Sequence, residues 1–120
     1  MCLVTKEKDP IKSDCNIECY KVLNPQMRSP YRDYKYTVGE VIEDEEEEEG
    51  MYFAGHYMIE KGYLHSFETL DEAKRLADRF KRAFKCKIYK AEIPANTLFY
   101  KGLMHDYCSK AIKLIEECIV

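Results

Sequence analysis

Gly62-Tyr63-Leu64-His65-Ser66-Phe67, then Thr69-Leu70-Asp71-Glu72, then Ile88-Tyr89-Lys90-Ala91-Glu92-Ile93-Pro94: these three segments decide the fold. The first is a short strand, Tyr63 to Phe67, entered through a glycine turn. The second fits a capping box, in which Thr69 accepts from the amide three residues on and Glu72 reaches back. Leu70, Ala73, Leu76, Ala77, Phe80 and Phe84 then recur at helical spacing and predict one amphipathic helix over 69–85. Its other face carries Lys74, Arg75, Arg79, Lys81, Arg82 and Lys85, a C-terminal bias of cations that suits the helix dipole. The third segment extends a strand from Cys86 to Ile93, which Pro94 ends because proline cannot donate to a ladder.

Upstream, Ile17 to Leu23 is rich in strand formers and stops at Asn24-Pro25. Ser29-Pro30-Tyr31-Arg32-Asp33 reads as a turn. Tyr34 to Ile42 alternates apolar with polar residues and predicts a second strand, with Gly39 as a bulge or close-approach point. Glu43 to Glu49 is a run of seven acids, closed by Gly50. Self-repulsion predicts a solvated acidic loop at 43–50. The run lacks the spaced Asp, Asn and Gly of a calcium loop. Met51 to Glu60 predicts a further strand. Downstream, Thr97 to Lys101 is a strand and Leu103 to Tyr107 a loop. Cys108 to Val120 fits a helix through Cys108, Ala111, Ile112, Ile115 and Cys118, and a strand less cleanly; periodicity leaves both open. Residues 1–15 show no period and read as a loose leader. The expectation is a single α+β domain over 16–120, with a mixed, mainly antiparallel sheet of about five or six short strands packed by the helix.

Composition narrows the function classes. The 120 residues are 46% hydrophobic and 34% charged, which is ordinary for a globular chain. A net charge of -3 argues against binding polyanions, so no nucleic acid is expected. No apolar run approaches the roughly 18 residues that span a bilayer, and the N-terminus has neither a signal-peptide pattern nor the Gly that myristoylation needs. The reading is therefore a cytoplasmic protein with no membrane association. Six cysteines then read as reduced thiols. Cys15, Cys19, His105 and Cys108 are the only zinc-like constellation, and their loose spacing leads to an expectation of no metal and no cofactor.

In motif order, Tyr36-x-x-Gly39, Gly62-x-x-His65 and Ile88-x-x-x-x-Ile93-Pro94 with Tyr100-Lys101-Gly102 resemble a family of small uncharacterised bacterial and phage proteins. Those proteins carry a Y-x-x-G … G-F-H core and an I-P-x-G-T-x-Y-Y-x-G strand pair. The likeness covers roughly residues 17–116 and implies a fold without an activity. The chain also distantly resembles the ADP-ribosyltransferase fold in its arginine-serine-glutamate branch. Tyr20-Lys21-Val22 stands at that branch's Tyr-Arg-Gly strand, Gly62 to Phe67 at its serine strand, Ile93 to Thr97 at its Pro-x-Gly-Thr turn, and Ser109-Lys110-Ala111-Ile112 at its glutamate strand. The departures are chemical. Lys21 replaces an arginine and cannot fork onto phosphate. His65 replaces the first serine. Ser109 and Ala111 stand where two glutamates would stabilise an oxocarbenium-like transition state.

The resemblance implies a degenerate cleft of Lys21, His65, Ser66 and Ser109, with no catalytic residue among them. His65 is the leading ligand-binding candidate, since its ordinary pKa near 6.5 suits acid–base or ligand work. Two functions follow as expectations. One is a non-catalytic binding or regulatory module of bacterial or phage origin, with a protein partner. The alternative is an enzyme or sensor that binds a nucleotide such as NAD through Lys21 and His65. Ten tyrosines favour protein contact, with Tyr31, Tyr34, Tyr36, Tyr52 and Tyr57 the candidate patch. Oligomeric state is left open.

Overall fold

The helix α1 forms over Leu70–Phe80 in a computed structural model that describes residues 3–29 and 34–119. The Thr69 hydroxyl accepts from the Glu72 amide, as the capping signal requires, while the Glu72 carboxylate pairs with Arg75 one turn on. The helix stops short of residue 85. The Lys81 amide bonds to the Asp78 carbonyl, and the Phe84 ring stacks on Phe80 at 5.3 Å. That stacking preserves the apolar spacing past the last helical turn.

The strands are β1 (Leu3–Thr5), β2 (Ile11–Lys12), β3 (Ile17–Leu23), β4 (Val41–Glu43), β5 (Glu49–Phe53), β6 (His56–Lys61), β7 (Leu64–Phe67), β8 (Lys87–Ile93), β9 (Leu98–Lys101), β10 (Asp106–Ser109) and β11 (Ala111–Cys118). They form a three-stranded sheet, β1-β6-β5, and an eight-stranded sheet, β2-β9-β10-β7-β3-β8-β11-β4. The α+β class holds. The sheets are antiparallel at every pairing among the described residues, rather than mixed. Only Lys110 separates β10 from β11, yet the two lie apart in the strand order, with β7, β3 and β8 between them. One bent strand over 106–118 therefore draws the sheet into a coil.

The coil has an inside and an outside. Inside pack Cys19, Leu23, Leu64, Ala91, Ile93, Ile112 and Leu114, with Tyr36 and Tyr107. On the outside, Ala73 and Leu76 of α1 pack on Val22, Phe67 and Ile88. Also outside, Leu3, Tyr57 and Ile59 of the small sheet pack on Tyr63, Tyr100 and Cys108. Each large apolar side chain buried this way contributes roughly 1.5–3 kcal/mol.

Five expectations are corrected. Residues 3–15 are not a loose leader. Leu3 and Thr5 are buried, β1 pairs with β6, β2 pairs with β9, and the Thr5 hydroxyl donates to the Lys101 carbonyl at 2.8 Å. Strands of two or three residues are too short for alternation to reveal. The acidic run is not a free loop: Glu43 ends β4, Glu49 opens β5, and Asp44 is buried with its amide on the Lys110 carbonyl. Met51 to Glu60 is a hairpin, β5–β6, turned at Ala54-Gly55 with φ of 51° and 82°. Such a two-residue turn with both φ positive matches the twist of the flanking strands. Asp106 and Tyr107 open the strand β10 rather than close a loop, and the segment from Cys108, for which periodicity leaves helix and strand both open, continues as strand to Cys118; a bulge between Leu114 and Glu116 explains why alternation fades beyond Leu114. The predicted strand at Tyr34 to Ile42 is reduced to Val41–Glu43 and an isolated bridge at Lys35, because Gly39 turns the chain at φ 86°. The turn at 30–33, Tyr31 and Cys2 lie outside the described residues.

Candidate functional site

Strands β7 and β10 place Asp106 opposite Phe67, Tyr107 opposite Ser66, Cys108 opposite His65 and Ser109 opposite Leu64. Opposed residues in an antiparallel ladder share a face, and successive residues alternate. Leu64, Ser66, Tyr107 and Ser109 thus face into the coil, while His65, Phe67, Asp106 and Cys108 face out. Lys21 lies with Cys19 and Leu23 on the inner face of β3. The four sequence candidates are close in space but do not share one cleft. The backbone of β7 separates His65 from the other three.

Each of the inner three serves the fold. Lys21 is 4% exposed; its ammonium donates to the His65 carbonyl and lies 5.2 Å from the Tyr36 ring centroid. Ser66 is fully buried beside Cys19. Burial pushes that thiol up to about 11, while the Ser66 hydroxyl draws it back down. Ser109 donates to the Ala111 carbonyl at 2.8 Å and holds the bend between β10 and β11.

On the outer face, the His65 Nε2–H donates to Asp106 Oδ2 at 2.9 Å; the carboxylate can only accept. Both side chains are nearly buried. The Phe67 ring meets the imidazole edge-on at 4.8 Å. Burial holds His65 below its ordinary value, against the upward pull of the Asp106 hydrogen bond and with Lys21 adding to the depression. Gly102 makes room for Asp106, since a Cβ there would fall 2.0 Å from Oδ1. Cys108, opposite His65, is raised strongly by burial and is a poor thiolate. This pair orders β7 against β10.

A second cluster is built by the acidic run. Glu48 Oε2 accepts from Tyr57 at 2.6 Å, and Oε1 accepts from Tyr63 at 2.7 Å and Tyr100 at 3.1 Å. Burial disfavours the charged carboxylate, but the three phenols and the Lys110 charge together outweigh it, and Glu48 is held below its ordinary value. Lys110 in turn donates to the carbonyls of Glu46 at 2.7 Å and Gly62 at 2.6 Å, and lies 4.6 Å from the Tyr63 ring centroid. These contacts fasten the acidic segment to both sheets.

What remains exposed lies elsewhere. β5 ends the small sheet, all five of its residues are exposed, and Met51, Tyr52 and Phe53 are 53%, 65% and 71% exposed. Beside the end of α1 lies an open groove of about 590 Å³, walled by Lys74, Lys81 and Lys85 with Asp78, over Ala77, Cys86 and Ile88. It continues into a space of about 300 Å³ lined by Pro25, Lys87, Cys118 and Ile119. The zinc-like constellation is not assembled: Cys19 faces into the coil and Cys108 outward, and no group of three metal-ligating side chains occurs among the described residues. Among the described residues, no helix is long and apolar enough to cross a membrane.

Sequence reasoning missed Asp106, Glu48 and the tyrosine cluster. The sequence pattern puts Asp106 in a loop, and Glu48 is hidden among acidic neighbours whose individual contacts no pattern distinguishes. Of the described members of the candidate patch, Tyr36 and Tyr57 are buried and Tyr34 is half-buried against the core; Tyr52 is exposed, its ring tilted against Tyr57 at 4.8 Å between centroids. No protein-family model, curated protein or solved structure matches this chain, so the motif-level likeness rests on its own residues alone.

Proposed function

We propose that this chain is a non-catalytic binding module whose contact element is the β5–β6 hairpin. One observation carries the reading: the edge strand β5 presents Met51, Tyr52 and Phe53 to solvent. A sheet edge with exposed apolar side chains is a template for strand addition, and aromatic residues dominate the energetics of protein contacts. The chain enters β5 through exposed Glu45, Glu47 and Glu49, so the complementary partner surface combines basic with apolar groups. Burial of Lys21, Ser66 and Ser109, the first and last in hydrogen bonds to backbone carbonyls, with His65 across the backbone from them, supports this reading over a nucleotide cleft.

The test uses short synthetic peptides that alternate Lys or Arg with Val or Tyr. Amide hydrogen exchange of β5 should slow as peptide is added, protection should weaken with salt, and Tyr52→Lys with Phe53→Lys should abolish it. Unchanged exchange across β5 at saturating peptide overturns the reading.

A further inference from the structure

Two surfaces left unused by the folded core complement each other. One is the hairpin approach, with exposed Glu45, Glu47 and Glu49 beside Met51, Tyr52 and Phe53. The other is the groove at the end of α1, where Lys74, Lys81 and Lys85 stand over an apolar floor of Ala77, Cys86 and Ile88. The first is acidic and aromatic; the second is basic and apolar. Ile119, 95% exposed at the far end of the groove, extends its apolar floor.

We propose that the hairpin of one molecule docks in the lysine groove of a second copy of this chain. The inference rests on the hairpin being the contact element and adds the identity of its partner. Charge complementarity argues for the second copy. The glutamates lead into and open β5, whose exposed Met51, Tyr52 and Phe53 follow, so the acidic field lies at the entry end of the strand, with Lys61 opposite Glu49 as the cation facing it in the ladder. The groove lysines lie on the last turns of α1 and the segment after it, and only Asp78 among the residues lining the 590 Å³ space opposes them. Opposed fields steer encounter and fix register, while aromatic side chains entering an apolar floor supply the hold. The contact joins two different patches and is therefore heterologous. Two molecules that exchange hairpins close a dimer, and molecules that do not exchange run on as a chain.

The experiment is sedimentation velocity on the full chain over a concentration series, with two charge-reversed variants. Glu47→Lys with Glu49→Lys reverses the hairpin, and Lys81→Glu with Lys85→Glu reverses the groove. All four positions are exposed, and circular dichroism checks that both variants fold. Wild type should self-associate, and high salt should weaken the association. Each variant alone should lose it by at least about tenfold, because like charges then face each other. An equimolar mixture should regain it, since every hairpin in the mixture finds a groove of opposite sign. A wild type that stays monomeric throughout overturns the proposal, as does a mixture that fails to associate. If the peptides protect β5 while wild type stays monomeric, only the second-copy assignment falls; if neither occurs, the binding reading falls with it.

Discussion

Glu48 is one of seven consecutive acids, yet its carboxylate receives three buried phenols, and that difference has a measurable consequence. Its folded pKa lies below its ordinary 4.5, so the unfolded chain binds the proton more readily. Stability from this group is present above about pH 4.5 and is lost as pH falls through the lowered value. His65 acts in the same direction for a different reason. Burial favours its neutral form, so its folded pKa lies below 6.5, and its contribution is present above 6.5 and erodes as pH falls below that. Acid should therefore lower the urea midpoint in two windows, one below pH 6.5 and one below pH 4.5. His65→Gln should flatten the first, and Glu48→Gln the second, with unfolding followed by fluorescence at each pH. Equal acid sensitivity in wild type and both variants would show that neither group is linked to folding.

At the scale of elements, two turns set the position of the hairpin and carry opposite predictions. Ala54 occupies the left-handed region at φ 51°, where a Cβ is unfavourable, next to Gly55 at 82°. Asn-Gly is the preferred pair for this turn, so Ala54→Asn should raise stability by about 0.5–1 kcal/mol. Gly62 at φ 101° is different, because a Cβ there would meet the Glu48 Cα at 2.7 Å and the Glu47 carbonyl at 2.8 Å. Gly62→Ala should cost about 1–3 kcal/mol, from backbone strain and from pushing the acidic segment off the tyrosines. Denaturant titration of both variants measures the pair, and two shifts of the same sign would refute the account. Element type was legible where a local signal was long: the Thr69 cap with its apolar stripe, and β3 and β8 with their proline stops. It was illegible at β1, β2 and β10, whose few residues are strands only because another strand lies alongside.

Over the whole molecule, the small sheet is tied to the coiled sheet by its N-terminal strand. Leu3 is 2% exposed between Tyr57, Ile59, Tyr63, Tyr100 and Cys108, and the Leu103 amide donates to the Val4 carbonyl. Leu3→Ala should therefore cost about 2–3 kcal/mol. Hydrogen exchange should quicken first in β6 and leave α1 and β8 protected. A loss within a few tenths of a kcal/mol would mean that residues 3–5 do not hold the sheets together. The candidate site divides along the same line. His65, Lys21, Ser66 and Ser109 were legible as unusual residues in ordered segments, but their faces depend on a register that no residue carries by itself. The sequence alone determined the α+β class, the helix with its cap and basic face, and the central strands, because periodicity and capping act over neighbouring residues. Only the tertiary structure decided that the leader is a strand, that Glu48 differs from the acids around it, that the C-terminal segment bends through Lys110, and that His65 faces away from Lys21. Each of these depends on contacts between segments distant in the chain, where pairing and burial override local preference.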